Sequence, residues 1–151
     1  MKDLLELDDW LAGLVERLEP PQRKKLMQQW ARMLRRRQQK SIQQQQNPDG
    51  TPFAPRKPQK REKSGRVRRK MFTKLRTARF MKAKATANTA EVTFAGGAAQ
   101  KIARVHHYGL RDRVGKRGVI VKYPERHLLC VTKTDVETIE HILLVYLSDM
   151  L

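Results

Sequence analysis

Leucines at positions 4, 7, 11, 14 and 18 recur at spacings of three and four, which puts Leu4, Leu7, Leu11, Leu14 and Leu18 on one face of a helix over about 3–18. Asp3-Leu4-Leu5-Glu6 has the spacing of a capping box, and the early acids Asp3, Glu6, Asp8 and Asp9 suit the positive end of a helix dipole. Pro20-Pro21 stops this helix and opens the next, because proline is tolerated in a first helical turn. A second helix over about 21–45 takes its apolar side from Leu26, Met27, Trp30, Ala31 and Leu34. The two helices, joined by a short link, predict an N-terminal helical hairpin over residues 1–46.

The helical pattern fails at Gln43-Gln44-Gln45-Gln46-Asn47-Pro48-Asp49-Gly50. Pro48-Asp49-Gly50 is a turn signal with a physical cause, since proline fixes φ and glycine permits φ > 0. Prolines 52, 55 and 58 carry the irregular stretch on, so residues 47–65 read as a basic, proline-rich surface loop or arm. A third helix is predicted over about 67–80, with Val67, Met71, Leu75 and Ala78 along one side. The period then changes to two. Glu91-Val92-Thr93-Phe94-Ala95 alternates as a half-buried strand does, and Lys84 to Ala87 pairs with it across Asn88-Thr89. Gly96-Gly97 breaks that strand, and 98–107 predicts a short helix with Ile102 and Val105 inward, ending at Gly109.

Val119-Ile120-Val121 and Leu128 to Thr132 are two further short strand candidates. Thr134-Asp135-Val136-Glu137 has capping-box spacing ahead of a final helix, whose buried face is Ile139, Ile142, Leu143, Tyr146, Leu147 and Met150. The order predicts an α+β fold. Its parts are the helical hairpin, the loop and a 66–151 core in which a small, mostly antiparallel sheet packs with short helices and a C-terminal helix.

Charge changes the picture. The chain has 151 residues and a formal net charge of +18, distributed very unevenly. Residues 1–19 carry a net of −4, residues 20–83 a net of +19, and residues 84–151 a net of +3. A stretch so basic stays solvated or meets an acidic partner, because self-repulsion opposes compaction. Its candidate DNA-facing or acidic-partner residues are Arg35, Arg36, Arg37, Lys40, Arg56, Lys57, Lys60, Arg61, Arg66, Arg68, Arg69 and Lys70. They can neutralise phosphates with little sequence readout, or dock on an acidic protein neighbour. Phe53 and Phe72 are the aromatics nearby, too few for base stacking of the single-strand-binding type.

No apolar run approaches the roughly 18–20 residues of a membrane span, and the acidic Met1-Lys2-Asp3 start is unlike a signal peptide, so a cytoplasmic protein is expected. The single cysteine, Cys130, agrees with a reducing compartment and reads as a buried small hydrophobe in Leu128-Leu129-Cys130-Val131. His106, His107, His127 and His141 show no zinc-ligand spacing, and Gly96-Gly97 lacks the Lys-Ser/Thr of a phosphate loop. No nucleophile, base and orienting acid stand together, and carboxylates are sparse mid-chain. The expectation is a protein that binds, not an enzyme, with no cofactor, metal or small-molecule substrate.

Several short patterns in order resemble the tail completion proteins of contractile-tailed temperate phages, a virion morphogenesis family. They are Leu-Asp-Asp-Trp-Leu at 7–11 followed by Leu18-Glu19-Pro20, and Gln-Asn-Pro-Asp-Gly-Thr-Pro-Phe at 46–53. His106-His107-Tyr108-Gly109 is similar to the family's His-Gln-aromatic-Gly segment. Tyr123-Pro124-Glu125-Arg126-His127-Leu128-Leu129 is similar to its Pro-x-Arg-x-Leu segment. The motif residues are thus Asn47, Pro48, Asp49, Gly50, His106, Gly109, Pro124, Arg126 and Leu128. The chain departs at Leu129-Cys130-Val131, where many relatives carry a glycine after the leucine.

The resemblance implies a structural role in finishing a tail and enabling head–tail joining, at the head-proximal end of the virion's tail after assembly in the host cytoplasm. It implies a ring-forming homo-oligomer, a hexamer by analogy with tail terminators, that meets the tail tube and head–tail connector proteins with phage DNA close by. The oligomer interface is expected at Leu4, Leu7, Leu11, Leu14 and Leu18, with the acidic 1–19 segment of one copy meeting the basic 21–70 segment of the next. A head–tail connector, a minor tail protein and a non-specific nucleic-acid-binding protein are the alternatives.

Overall fold

The computed structural model of the protein describes residues 2–56 and 70–150. Among them the chain forms four helices and two two-stranded antiparallel sheets, an α+β fold. The elements in order are α1 (Lys2–Glu16), α2 (Pro20–Gln44), β1 (Met81–Ala85), β2 (Ala90–Phe94), α3 (Gly97–His107), β3 (Arg111–Arg113), β4 (Ile120–Lys122) and α4 (Lys133–Ser148). The chain divides into two compact units, one comprising Met1–Arg35, Ala83–Thr93 and Val131–Leu151, the other Arg36–Lys82 and Phe94–Cys130.

The first unit is built on leucine packing between helices. Leu18, Leu26 and Leu143 are buried together, with Leu11, Val15, Trp30, Ile142, Tyr146 and Leu147 packed against them. Each such leucine side chain taken from water stabilises the fold by roughly 1.5–3 kcal/mol. The Tyr146 hydroxyl donates to the Gln22 carbonyl at 3.4 Å, which gives the aromatic's polar end a partner. α2 starts where Glu19 N–H donates to the Gln22 side chain at 3.1 Å, one residue before Pro20.

The N-cap of α4 is Thr132, not Thr134. Its hydroxyl accepts from Asp135 N–H, while Asp135 Oδ2 accepts from Thr132 N–H and from its hydroxyl, both at 2.9 Å. The shorter aspartate closes the box that the sequence pattern assigned two residues later. The buried face of α4 is also narrower than predicted. Leu143 is 1 % exposed, Ile139, Ile142, Tyr146 and Leu147 are half-buried, and Met150 is exposed. The turn Thr86–Thr89 joins β1 to β2, with Thr86 N–H donating to the Thr89 carbonyl at 2.9 Å and Thr86 Oγ1 accepting from both Asn88 and Thr89 N–H. This hairpin begins three residues before the predicted Lys84.

The second unit is held by glutamine side chains and by loops. Ile42, Met81 and Leu128 are almost wholly buried, with Phe53, Leu75, Phe94, Ala99, Ala103 and Val105. No helix forms over 70–80. Those residues make successive turns, with Phe72 at a left-handed φ of 61°. Of the predicted apolar side, Leu75 is buried, Met71 half-buried and Ala78 exposed; Val67 lies outside the described residues. Glutamines from the end of α2 supply the missing backbone partners. Gln45 Oε1 accepts from Met71 N–H at 2.7 Å and its Nε2 donates to the Met71 carbonyl at 2.9 Å, while Gln39 Nε2 donates to the Arg76 carbonyl at 2.7 Å. Gln38 is buried and donates to the Cys130 carbonyl.

Three further expectations are corrected in this unit. Leu128 to Thr132 is not a strand: Leu128 N–H is taken by a histidine ring, and Thr132 is already the cap of α4. Cys130 is exposed, because the chain there carries its backbone, not its thiol, to Gln38. In α3, Ile102 is 46 % exposed and the buried positions are Ala99, Ala103 and Val105. β3 pairs with β4 in the register Arg111–Lys122, Asp112–Val121 and Arg113–Ile120, the latter strand being the predicted Val119-Ile120-Val121 shifted by one residue.

Candidate functional site

The family-motif residues of 46–53, 106–109 and 123–129 all lie in the second unit, where Arg126 bonds Ala54, Pro55 and His106. Asp49 and Gly50 close a tight turn in which Thr51 N–H and hydroxyl both donate to Asp49 Oδ1, at 2.9 and 2.6 Å, and Gly50 takes a φ of 86°. The Thr51 bonds hold the Asp49 carboxyl below its ordinary value. Asn47 then accepts from His127 N–H at 3.0 Å, which ties this turn to the Pro124–Leu128 segment. Gly109 ends α3. Its φ is 60°, Leu110 N–H reaches back across it to the Val105 carbonyl at 2.8 Å, and a Cβ at Gly109 would stand 3.2 Å from the backbone of Tyr123 and Glu125.

Arg126 is 3 % exposed. Its Nε donates to the Ala54 carbonyl at 2.8 Å and one terminal nitrogen to the Pro55 carbonyl at 3.0 Å; the other lies 3.1 Å from His106 Nδ1. Arg126 N–H donates to the His106 carbonyl at 2.8 Å. Because a guanidinium can only donate, His106 Nδ1 must accept, which fixes its proton on Nε2. His107 Nδ1 likewise accepts from Leu128 N–H at 3.2 Å. Burial, then the charges of Arg126 and Arg56, hold His106 below its ordinary 6.5. Burial, then His127, lower His107, with Glu125 opposing. The ring of His106 sits between Phe72 at 4.9 Å and Tyr123 at 4.7 Å, and Phe72 stacks edge-on against Phe53 at 5.9 Å. These are the bonds of a scaffold. Neither histidine presents Nδ1 for chemistry, and among the described residues no group of three or more His, Cys, Asp or Glu is placed to hold a metal ion.

The predicted basic residues are dispersed. Arg35 and Arg37 are half-buried on α2, Arg36 and Lys40 are exposed one turn apart, and Arg56 is exposed near Arg126, whose bonds knot the loops together. Lys70 donates to the Gln43 carbonyl at 3.0 Å. Lys57, Lys60, Arg61, Arg66, Arg68 and Arg69 lie outside the described residues. Of the leucines assigned to an oligomer interface, Leu18 is buried and Leu11 packs on the core of its own unit. Leu14 is half-buried, and Leu4 and Leu7 lie on α1 where the description does not extend to side chains. The other side of α1 exposes Asp9, Trp10, Ala12 and Glu16.

A surface that sequence patterning did not single out is the β3–β4 ribbon. Tyr108, Leu110, Val114, Val119 and Ile120 are all exposed within thirteen residues, five of the eleven exposed large hydrophobics of the described chain. The same stretch carries Arg111, Arg113, Lys116, Arg117 and Lys122, with Asp112 bound to Lys101 at 3.1 Å. A signal was present: bulky apolar residues without alternation, interspersed with cations.

The phage virion morphogenesis family matches residues 2–148. A relative, tail completion protein S of Escherichia phage P2, is 45% identical over 149 residues, which cover 98% of this chain and 99% of that protein. No solved structure matches.

Proposed function

This chain belongs to the phage virion morphogenesis family, and from that premise we propose that it completes tails as a structural component, by binding and not by turnover. Its role is tail completion. The observation that carries the reading is the end-to-end match to tail completion protein S, 98% of one chain against 99% of the other. The knot around Arg126 supports the structural part of the reading, since the motif side chains are spent on holding loops together.

Copies of the chain seat on the finished tail at its head-proximal end and present a surface to the head–tail connector. They form a ring, hexameric as in tail terminators, assembled in the host cytoplasm and retained in the virion. Head-to-tail contacts close such a ring, one patch of each copy meeting a different patch on the next. The acidic residues 1–19, net −4 in a chain of net +18, support contacts of that kind. Cations remaining outside those contacts face the DNA that passes the junction.

The test is a phage deleted for this gene. Electron microscopy of its lysate should show free tails and full heads accumulating together, and supplying the chain in trans should restore joined particles. Joined, infectious particles from the deletion alone would contradict the proposal.

A further inference from the structure

The β3–β4 ribbon has two unlike faces. Asp112 and Val121 pair across it and are half-buried, whereas Arg111, Arg113, Ile120 and Lys122 are exposed on the other face. On that outward face Arg111 stands directly opposite Lys122, a like-charge pairing that works against the hairpin. Val119 is 74 % and Ile120 64 % exposed, so the ribbon also gives up apolar burial. Two strands of three residues are marginal on their own, and a helix laid over the face is what ordinarily stabilises them.

We propose that the outward face of β3–β4 is the seat for α1 of a second copy of this chain. The inference rests on the self-association reading above and names its two surfaces. Residues 1–19 are the chain's one strongly acidic segment, with six of its fifteen carboxylates. The outer side of α1 exposes Asp9 and Glu16, which lie two turns or ~10.5 Å apart along the axis. Trp10, 54 % exposed, stands beside them. Acids can reach Arg111 and Arg113 while Trp10 covers Ile120. That pattern, an apolar centre with a charged rim, is the anatomy of a protein interface. A nucleic acid would satisfy the cations and leave the tryptophan and isoleucine in water.

The test uses the full chain and sedimentation velocity across a concentration series, with circular dichroism confirming the fold. R111E/R113E and D9K/E16K each place like charges across the contact, and each should weaken self-association about tenfold or more. A variant carrying all four substitutions restores opposite charges with reversed sense and should recover most of the loss. Self-association of either pair variant at wild-type strength overturns the proposal, as does failure of the fourfold variant to recover. Loss of DNA retention in a gel shift with assembly unchanged also overturns it and assigns the face to nucleic acid. A wild-type chain that stays monomeric throughout contradicts the self-association reading itself, which separates the two failures.

Discussion

Arg126 buries a guanidinium against two loop carbonyls and a ring nitrogen, so its removal strands acceptors as well as deleting a side chain. Arg126→Met keeps most of the volume and leaves the Ala54 and Pro55 carbonyls without their donor. The expected loss is about 3 kcal/mol, read from urea denaturation at neutral pH. His106 and His107 give the same place a pH dependence. Both are held below 6.5 in the fold, chiefly by burial, and both accept at Nδ1. The unfolded chain therefore binds more protons in mildly acid solution. Their contribution to stability is complete above pH 6.5 and is lost as pH falls through the depressed values. The urea midpoint should drop between pH 7.5 and pH 5, and the drop should shrink in His106→Gln; a flat profile would show that the two rings do not sense folding. Gly109 is a second residue whose substitution should destabilise the fold. Alanine there meets a φ of 60° and a contact of 3.2 Å to the backbone, and should cost about 1–2 kcal/mol.

At the scale of elements, what was legible in the sequence was what a period can express. The helices α1, α2 and α4 repeat apolar residues at three and four, and in α2 the buried stripe runs on through Met27, Ala31, Leu34, Gln38 and Ile42. Gln38 belongs to that stripe because it bonds a distant carbonyl, which no hydropathy pattern announces. The 70–80 segment looked helical for a related reason: Met71 and Leu75 have the right spacing, but Gln39 and Gln45 capture the backbone groups that a helix would use. β3 was invisible because Arg-Asp-Arg alternates charge with charge. The bonds of Arg126 to Ala54 and Pro55 were not legible, since they span more than seventy residues of chain. Two substitutions check the element boundaries. Thr132→Ala removes the α4 cap and should cost about 1 kcal/mol, and Leu143→Ala opens the leucine core for about 2–5 kcal/mol, both measured by thermal or urea unfolding.

For the whole molecule, charge and fold carry different parts of the function. The bonds around Arg126 and the leucine core each hold one unit together, and the +18 charge predicts contacts with partners that are sensitive to salt. Assembly should weaken from low to high ionic strength, while the unfolding midpoint should hold or rise as self-repulsion is screened. The most direct test of tail completion is biochemical rescue. Purified wild-type chain is added to a lysate of the deletion phage, and infectious titre is counted. Titre should rise with added protein, and Arg126→Met should rescue in proportion to its folded fraction. Wild-type protein, shown to be folded, that leaves free heads and tails unjoined and the titre unchanged would contradict a role in completing the tail.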